Sequence, residues 1–431
     1  MLDIQFIRDN PKLVSEKSKQ KNVSVEIDKL LELDVKRREL INKVDTLKAE
    51  QRELNPKTKS KPDHATIEKA TELKTEISKV ESDLIPVEKS YLKLLRQVPN
   101  MPTEDVPIGA DESANVVQKT VGEAPGFDFK PKAHWEIGES RDLIDRERAV
   151  KISGSRFVYL KGDLVRLQFA LNQLAIDQLT DEKVIENLIT KHKLNLVAKP
   201  YVPVLPPIMI KTDAYEATGR LKAEETTYKI DGDDLWLIAS AEHSLCSMYI
   251  NEIIDESKLP IRYLGYSTSF RREAGTYGKD TNGLIRLHHF DKMEMEVFST
   301  PETGLDEHLL QIAIQEHLMG LLNLPYHVLL KSTGDIGDPN ARGVDIEAWF
   351  PSQKTYRETH TADFMGDYQA RSLKTRLKRA NGEIIFPHTN DATAFAAGRT
   401  MAAIIENYQT ADDHIVIPEV LRPYMGGQEE I

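Results

Sequence analysis

The chain has 431 residues, of which 40% are hydrophobic and 29% are charged, and its formal net charge at pH 7 is −12. This length suffices for two or three domains, and the composition favours a water-soluble protein with a large apolar core. The net negative charge argues against a general nucleic-acid binder, although a local basic patch would still be compatible with a polyanion.

The start of the chain and its cysteine content bear on the compartment. The opening MLDIQFIRDNPKLV lacks a basic region followed by an apolar one, which disfavours a secretory signal. No run of about 18 or more apolar residues occurs, so we expect no transmembrane helix and no membrane partner. The single cysteine, Cys246, excludes an internal disulfide and a cysteine-based zinc site. We therefore expect a cytoplasmic protein without zinc.

Residues 27–98 show a heptad-like pattern that is interrupted once, by NPKTKSKPDH. The repeating positions lie three and four residues apart: Leu30, Leu33, Arg37, Leu40, Val44, Leu47, Gln51 and Leu54, then Ala70, Leu73, Ile77, Val80, Leu84, Val87, Tyr91, Leu94 and Val98. This pattern predicts an antiparallel coiled-coil hairpin, in which Pro86 should kink the second helix or mark a local irregularity. Basic residues outnumber acidic ones between Lys43 and Lys61, which indicates either a polyanion-binding patch or a solvated helix surface.

A proline-bearing connector, VPNMPTEDVPIGADES, follows the hairpin and predicts a domain boundary. We divide the chain into residues 1–105, with the hairpin, and residues 106–431. The second part alternates strand-like runs such as LWLIAS, YHVLLKST and GVDIEAWFPS with amphipathic segments such as DLVRLQFALNQLAIDQLT and LDEHLLQIAIQEHLMGLLN. Because consecutive strands follow one another through hairpins, we predict the α+β class, with a largely antiparallel sheet flanked by helices.

One predicted hairpin carries charge at positions that should share a face. We expect strands over IRYLGYSTSFRRE and LIRLHHFDKMEMEVF, separated by a Gly-rich loop. Side chains alternate along a strand, so Arg271 and Glu273 should lie together. By the same rule one face of the returning strand holds Arg286, His288, Phe290, Lys292 and Glu294. Guanidinium groups suit phosphate, an aromatic ring suits stacking, and carboxylates suit an amine or a hydroxyl; the alternative is a ladder of salt bridges facing solvent.

Two further segments add candidates for the same chemistry. GVDIEAWFPSQKTYRETH supplies Glu347 and Glu358, and a carboxylate near a triphosphate commonly holds Mg²⁺. HTNDATAFAAGRTMAAIIENYQ places Gly398 and Arg399 where a helix begins, which suits either a close approach to a ligand or close packing. A Rossmann or P-loop nucleotide site is disfavoured because neither glycine motif occurs.

Together these motifs resemble the class II aminoacyl-tRNA synthetases, and more closely the bacterial-type seryl-tRNA synthetase family. The resemblance covers nearly the whole chain, from MLDIQFIRDNP through HWEIGE, ERAVKISGSRF, TGRL and GLIRLHHFDKMEME to AGRTMAAIIENYQ and IVIPEVLRPYMGG. It implies an arm that binds tRNA(Ser), with tRNA(Sec) as a candidate second substrate, and a catalytic domain that uses ATP with Mg²⁺ to attach L-serine. It also implies a homodimer formed through residues 182–210, with Pro206 and Pro207, and it places the GTYGKDTNG loop where the tRNA acceptor end arrives.

For ATP, the resemblance assigns catalytic roles to Arg271, Glu273 and Arg399. Arg271 would contact the α-phosphate, Glu273 the adenine amino group, and Arg399 the terminal phosphates. Phe290 would stack on adenine and Arg286 would reach the γ-phosphate. The full implied ATP set is Arg271, Arg272, Glu273, Arg286, Leu287, Phe290, Glu358, Thr359, His360, Thr361 and Arg399, of which Glu358 and Thr361 would also hold Mg²⁺.

For the amino acid, the segment ASAE resembles the family's Thr-x-Glu loop and implies that Ser240, Ala241 and Glu242 hold serine. Arg271, Glu294 and Thr393 complete the implied serine set. Three departures from the family pattern stand out. Ser240 replaces the usual threonine. THTADF, with His360, replaces the usual Ser-Cys-Ser-Asn run, and NDATAFA replaces the commoner NGSGLA.

Two other interpretations stay open at this point. One is an adenylate-forming enzyme that loads serine onto a carrier other than tRNA, against which the coiled-coil arm speaks. The other is a catalytically silent structural or regulatory tRNA-binding protein, against which Arg271, Glu273, Glu294, Glu358 and Arg399 speak.

Overall fold

A computed structural model describes residues 1–54, 63–221, 226–273 and 282–431. Contacts divide the chain into two compact units, Met1–Met101 and Pro102–Ile431, so that the division falls inside the predicted connector. Most of the GTYGKDTNG loop and the basic residues Lys57, Lys59 and Lys61 lie outside the described residues, and the predictions made for them stay predictions.

The first unit is helical in its described part. Its helices are α1 (Ile4–Asp9), α2 (Pro11–Gln20), α3 (Ile27–Glu53) and α4 (His64–Gln97). α4 begins at an N-cap in which the Asp63 carboxylate accepts from the backbone N–H of Thr66 at 2.8 Å, and it continues through Pro86 as one helix. The predicted α-helical arm is confirmed.

The predicted seam of the arm holds along its middle and shifts at one end. Val44, Leu47, Leu73, Ile77 and Val80 form one buried cluster between α3 and α4. Towards the end of α4, however, Leu95 is buried and Leu94 is only half-buried. At this end of the hairpin α2 also packs against α3, and Arg8 of α1 pairs with Asp34 of α3, so the buried positions there are not set by a two-helix seam alone.

The second unit contains the remaining described helices and the sheets. Its helices are α5 (His134–Ser140), α6 (Arg146–Ser153), α7 (Asp163–Thr180), α8 (Glu182–His192), α9 (Thr212–Ala217), α10 (Glu242–Cys246), α11 (Gly304–Leu321), α12 (Tyr368–Leu373) and α13 (Ala397–Asn407). Its strands are β1 (Val116–Val121), β2 (Ile144–Asp145), β3 (Tyr159–Leu160), β4 (Val202–Val204), β5 (Met209–Ile210), β6 (Trp236–Leu237), β7 (Ile253–Asp255), β8 (Ile261–Phe270), β9 (His289–Ser299), β10 (Tyr326–Leu330), β11 (Arg342–Phe350), β12 (Thr355–Gly366), β13 (Arg376–Lys378), β14 (Ile384–Ile385) and β15 (His388–Ala396).

An eight-stranded sheet in the order β1-β10-β11-β12-β15-β9-β8-β4 organises this unit. Its neighbouring strands pair antiparallel except β4 and β8, which are parallel. The predicted α+β class with an antiparallel sheet is therefore confirmed. The parallel pair lies at one edge of the sheet, where β4, a short strand of the proline-bearing run YVPVLPPIMI, joins β8.

The two faces of the central strands differ in chemistry. Met295 and Val297 of β9, Ala392 of β15 and Ala362 of β12 join the main apolar core with side chains of α7, α11 and α13. Alternate residues of the same strands point to the opposite face and are polar or charged. This second face forms the base of a cleft.

Candidate functional site

The cleft has a volume of about 980 Å³, counting the space open to solvent at its mouth, and most of its lining is polar. Its walls come from the ends of β8 and β9, from β12, β15 and the start of α13. The lining residues are Arg220, Glu242, Arg271, Glu273, Leu284, Ile285, Arg286, Leu287, Phe290, Lys292, Glu294, Lys331, Gly337, Asn340, Glu358, Thr359, Thr361, Asp363, Asp391, Thr393, Ala396, Gly398 and Arg399. Most of the side chains predicted to bind ATP and serine are thus brought to one place.

The predicted strand positions of four charged or polar residues are wrong. β8 ends at Phe270 and β9 begins at His289, so Arg271, Glu273, Arg286 and His288 lie beyond the strands. One backbone hydrogen bond, from the N–H of Arg271 to the C=O of His288 at 2.9 Å, extends the pairing past the strand ends. Glu273 has a φ of +51°, in the left-handed region, so the chain turns there and strand alternation no longer applies.

The same residues nevertheless meet in the cleft. The Arg286 guanidinium donates to the Glu273 carboxylate at 3.0 Å, and the Arg271 guanidinium lies 5.1 Å from the ring centroid of Phe290. Arg271 also donates to the backbone C=O of Ala239 at 3.3 Å, which ties it to the segment just before Ser240. Two cations, one carboxylate and one aromatic ring therefore line one wall of the cleft.

A β-bulge in β12 brings Glu358 to the face that Thr361 occupies. Regular alternation would put residues three apart on opposite faces. The pairing of β11 with β12 shifts by one residue, however, since Ile346 pairs with His360 and Glu347 pairs with Glu358. Thr359 is the extra residue, and bulges of this kind redirect side chains near functional sites. The Thr361 hydroxyl consequently lies 3.3 Å from a Glu358 carboxylate oxygen.

Arg399 faces Glu358 from the start of α13. Its guanidinium donates to the Glu358 carboxylate at 2.6 Å. Burial alone would raise the pKa of Glu358, but the positive charges of Arg399, Lys331 and Arg271 lower it to about 2. Helix α13 can approach this wall closely because Gly398 has no side chain. A Cβ at that position would lie only 2.7 Å from the backbone oxygen of Leu284. The close approach at Gly398 is therefore to the protein backbone.

The residues expected to hold serine lie at the inner end of the cleft. Thr393 and Glu294 pair directly across β15 and β9. Lys292 donates to the Ser240 hydroxyl at 3.0 Å, and its ammonium lies 2.5 Å from a Glu294 carboxylate oxygen. Ser240 and Ala241 are fully buried behind the lining, whereas Glu242 belongs to it.

The two carboxyl groups at this end have opposite electrostatics. Burial raises the pKa of Glu294 well above its ordinary value, and the Lys292 ammonium opposes that shift. Burial acts on Glu242 as well, but the charges of Lys292, His243 and Arg220 outweigh it and lower its pKa. Burial thus dominates the pKa shift of Glu294, whereas neighbouring positive charges dominate that of Glu242.

The donor set at Glu358 fits a magnesium ion that is shared with a substrate phosphate. Mg²⁺ in such sites takes one or two carboxylates, keeps several waters and completes its octahedron with phosphate oxygens. Glu358 supplies an ionised carboxylate, and Thr361 supplies a hydroxyl beside it. Among the described residues there is no group of three or more His, Cys, Asp or Glu side chains arranged to hold a metal by themselves.

Two members of the predicted ATP set do not line the cleft. The Arg272 guanidinium lies 5.6 Å from the ring centroid of Tyr228, and its backbone N–H donates to Thr226. His360 lies on the apolar face, where its ring packs against Phe395 and its Nδ1 is 2.8 Å from the Thr359 hydroxyl. Burial lowers the pKa of His360 to about 4, so the ring is neutral at pH 7. The ATP-binding assignment of these two residues stays a prediction.

The sequence analysis did not include four charged lining residues: Arg220, Lys331, Asp363 and Asp391. It placed Lys292 on the strand face of Glu294 by period two but gave it no role in binding. Asp363 shares a face with Thr361, and Asp391 with Thr393, by the same rule. Arg220 and Lys331 come from loops, and nothing in the local sequence indicates their direction.

In the part of the chain that the structure describes, no helix is both long enough and apolar enough to cross a membrane.

Comparison with protein-family models matches residues 1–102 to the seryl-tRNA synthetase N-terminal domain and residues 226–408 to the tRNA synthetase class II core domain (G, H, P, S and T).

Comparisons with individual proteins span the full length. The chain is 40% identical over 440 residues to the serine--tRNA ligase of Nitrosopumilus maritimus (strain SCM1), with 100% of each protein covered. It is also 40% identical over 430 residues to that of Symbiobacterium thermophilum (strain DSM 24528 / JCM 14929 / IAM 14863 / T), with 98% of each covered. Among solved structures, the seryl-tRNA synthetase from Pyrococcus horikoshii complexed with ATP is similar, with a TM-score of 0.85 and 34% identity over 100% of this chain and 99% of that one.

Proposed function

Because this chain belongs to the seryl-tRNA synthetase family, within the class II aminoacyl-tRNA synthetases, we propose that it is a serine--tRNA ligase that uses ATP as co-substrate. It activates L-serine as seryl-adenylate and transfers the seryl group to the 3′ end of tRNA(Ser). The observation that carries this proposal is the convergence of Arg271, Arg399, Glu242, Glu294 and Thr393 in one cleft.

In the first step the serine carboxylate attacks the α-phosphorus of ATP. A P–O bond forms to the carboxylate oxygen, and the bond to the β-phosphate oxygen breaks, which releases pyrophosphate. Arg271 stabilises the negative charge that develops at the α-phosphate, and Arg399 stabilises the departing phosphates from the opposite wall. Both guanidinium groups are held in place, by the Ala239 carbonyl and by Glu358 respectively, so little reorganisation is required.

Serine is held by its two functional groups. Glu294 and Thr393 bind the amine and the hydroxyl group of serine, and Glu242 holds the amino acid from the neighbouring ASAE segment. Thr393 and Glu294 pair directly across β15 and β9, and Glu242 lines the same cleft. A site built around a hydroxyl rejects alanine strongly, because alanine would leave buried polar groups without a partner.

The adenine ring of ATP would stack on Phe290, near Glu273 and Arg286. We propose that Glu358 and Thr361 would hold Mg²⁺, which would supply neutralisation of the phosphate charge of ATP. In the second step a ribose hydroxyl at the 3′-terminal adenosine attacks the carbonyl carbon of the adenylate, and AMP leaves.

We further propose that the α3–α4 hairpin binds tRNA(Ser) by shape and phosphate contacts, because A-form helices hide the base edges of their major groove. Whether tRNA(Sec) is also a substrate depends on the same contacts. A cytoplasmic location is proposed on the sequence prediction alone.

A homodimer through residues 182–210 is part of the proposal. This segment and its flank expose several apolar side chains, namely Val197, Val202, Leu205, Ile208 and Met209, and Leu205 is 80% exposed. Such a concentration of exposed apolar residues is typical of a surface that another chain covers. Leu205→Glu should shift the protein towards a monomer in light scattering coupled to gel filtration, and an unchanged mass would contradict this interface.

The direct test of the proposed function has two readouts. Serine-dependent exchange of pyrophosphate into ATP measures the first step, and charging of a tRNA(Ser) transcript measures both steps. Exchange together with charging is expected. No exchange would favour the catalytically silent interpretation, and exchange without charging would favour an enzyme that loads serine onto another carrier.

A further inference from the structure

A buried group of three charged residues lies at the inner end of the cleft. Asp363 of β12 and Asp391 of β15 pair directly with each other across the two strands. The Arg220 guanidinium reaches between them, 2.7 Å from an Asp391 oxygen and 3.4 Å from an Asp363 oxygen. We call Arg220, Asp363 and Asp391 the floor cluster.

The floor cluster connects two features that looked independent in the sequence. Asp363 stands in THTADF and Asp391 in NDATAFA, the two segments that depart most from the pattern of the family. The pairing of β12 with β15 places the two carboxylates opposite each other, and the Arg220 guanidinium bridges them. The two segments therefore meet at one place in the structure.

The side chains of the floor cluster are largely buried. Side-chain exposure is 7% for Asp363, 6% for Asp391 and 18% for Arg220. The desolvation cost of a buried ion pair commonly equals or exceeds its Coulomb gain, and removal of one partner leaves an uncompensated buried charge, so the three groups hold one another in place. Gly219, at a φ of +73°, forms the turn that directs Arg220 inward, and a Cβ there would contact Tyr368 and Pro339.

The floor cluster adjoins the groups that hold serine. Asp391 lies two residues before Thr393 on the same strand face, a distance of about 6.6 Å along the strand. Glu242, Glu294 and Thr393 line the same cleft as all three members of the cluster. Arg220 is also close enough to Glu242 to lower the pKa of that carboxyl.

We propose that the floor cluster closes the amino-acid end of the cleft behind the serine hydroxyl and determines specificity against larger amino acids. The inference rests on the proposed function, because it concerns the amino acid that this site activates. Serine ends at the hydroxyl that Glu294 and Thr393 bind. Threonine carries the same hydroxyl and one further methyl group on Cβ, so the size and polarity of the site around Cβ and the hydroxyl must reject it.

The physical reason lies in what an added carbon would contact. A methyl group placed against the floor cluster would remove hydrogen-bonding partners from the charged side chains and would offer none in return, which costs free energy. The guanidinium cannot simply swing away, since two carboxylates hold it and leaving either one unpaired in a buried place is costly. Alanine, which is smaller than serine, does not reach the cluster, and its rejection depends on Glu294 and Thr393.

The test compares serine, threonine and alanine in pyrophosphate exchange, with kcat and KM determined separately for each amino acid. The variant Arg220→Gln/Asp363→Asn/Asp391→Asn removes all three charges; it keeps the size of the two aspartate side chains and shortens the arginine side chain. We expect the ratio of kcat/KM for threonine to that for serine to rise at least tenfold, whereas the ratio for alanine to serine changes less than threefold. Arg220→Lys keeps a cation at the same place and should retain most of the discrimination.

A matched control is a buried ion pair of the same unit that lies away from the cleft. Arg262 and Glu307 are joined by two hydrogen bonds of 2.9 and 2.8 Å, and their side chains are 0% and 1% exposed. Arg262→Gln/Glu307→Gln should lower the unfolding midpoint without changing the threonine-to-serine ratio. If the triple variant does not fold, Asp391→Asn alone carries the same comparison at a temperature below its unfolding midpoint.

The possible outcomes are distinct. A threonine-to-serine ratio that stays within twofold of the wild-type value in a folded variant overturns the inference. Equal rises for threonine and alanine also overturn it, since they would indicate general loosening of the site. Failure of the wild-type protein to catalyse any serine-dependent exchange would instead refute the proposed function.

Discussion

The helical arm and the catalytic unit differ in where they place charge. In the arm, ion pairs such as Lys43–Glu76 flank the apolar seam with side chains 53% and 47% exposed, so water solvates both partners. In the catalytic unit, Arg262–Glu307 and the floor cluster are almost completely buried. Exposed pairs contribute little to stability, whereas a buried charge is costly unless its partners are fixed. The arm should therefore tolerate changes of charge that the catalytic unit does not.

The largest effect should follow from removing a charge that faces the substrate. Arg271→Ala should reduce serine-dependent pyrophosphate exchange by about 10³-fold or more, because a fixed cation at the α-phosphate is lost. Binding of tRNA through the arm should stay within about threefold, as measured by filter binding. Arg371→Ala, which removes an arginine that pairs with Asp367 outside the cleft lining, is the control. Comparable losses in both variants would contradict the role of Arg271.

Shortening the arm should produce the converse result. Replacement of residues 43–81 with a short Gly-Ser linker should leave exchange nearly unchanged and reduce tRNA charging by on the order of 100-fold, because phosphate contacts supply much of the affinity for nucleic acid. The variant keeps the end of the hairpin on which α1 and α2 pack. Loss of exchange in this variant would contradict the division of labour between the two units.

A smaller effect, on stability, should depend on pH in the catalytic unit. His308 is fully buried and accepts from the Arg342 guanidinium at 2.9 Å; burial first, and then the positive charge of Arg342, lower its pKa to about 3. The unfolded chain takes up this proton near pH 6.5 and the folded protein does not, so the contribution of His308 is present above pH 6.5 and is lost as pH falls towards 3. Between pH 6.5 and 5 the free energy of unfolding contributed by His308 falls by about 2 kcal/mol.

The measurement is urea unfolding at pH 7 and at pH 5. His308→Gln retains an acceptor for Arg342 but does not titrate, so its stability should fall less between these values than that of the wild-type protein. An equal loss of unfolding free energy between pH 7 and pH 5 in the two proteins would show that His308 is not held neutral by its surroundings.

The smallest effect is expected at a charged pair of the arm. Arg37 lies 3.1 Å from Glu88 and 5.0 Å from the ring centroid of Tyr91, with side-chain exposures of 29% for Arg37 and 42% for Glu88. Glu88→Gln should change the free energy of unfolding by less than about 1 kcal/mol, since exposed pairs contribute little. A loss several times larger in chemical denaturation would show that the arm also depends on fixed charges.

The same difference explains what could be predicted from the sequence. The heptad period determined the arm, because one repeated rule assigns every buried position along α3 and α4 until α1 and α2 add further contacts. Helices such as α7 and α8 and the antiparallel sheet also followed from period and length. The cleft was predictable where residues share a strand, as Phe290, Lys292 and Glu294 do.

The other cleft residues and their contacts could be recognised only from the three-dimensional structure. Glu273 turns out of the strand at a positive φ, and Arg220 enters the cleft from a loop after α9. The bulge at Thr359 is not visible in the alternation of THTADF, since only the partner strand reveals the extra residue. For the same reason the contact between Asp363 and Asp391, 28 positions apart in the sequence, could not be inferred from either segment alone.

The bulge has a consequence for how firmly the ligand is held. A regular strand presents every second residue, so six consecutive positions give three contacts to one side. Between Glu358 and Asp363, β12 presents four lining residues: Glu358, Thr359, Thr361 and Asp363. A single rigid segment thereby carries both the carboxylate proposed for the metal and the aspartate proposed to close the amino-acid end. The distance between the phosphate end of the cleft, at Glu358, and its amino-acid end, at Asp363, is then set by the backbone of one strand. This distance stays constant even if neighbouring elements move.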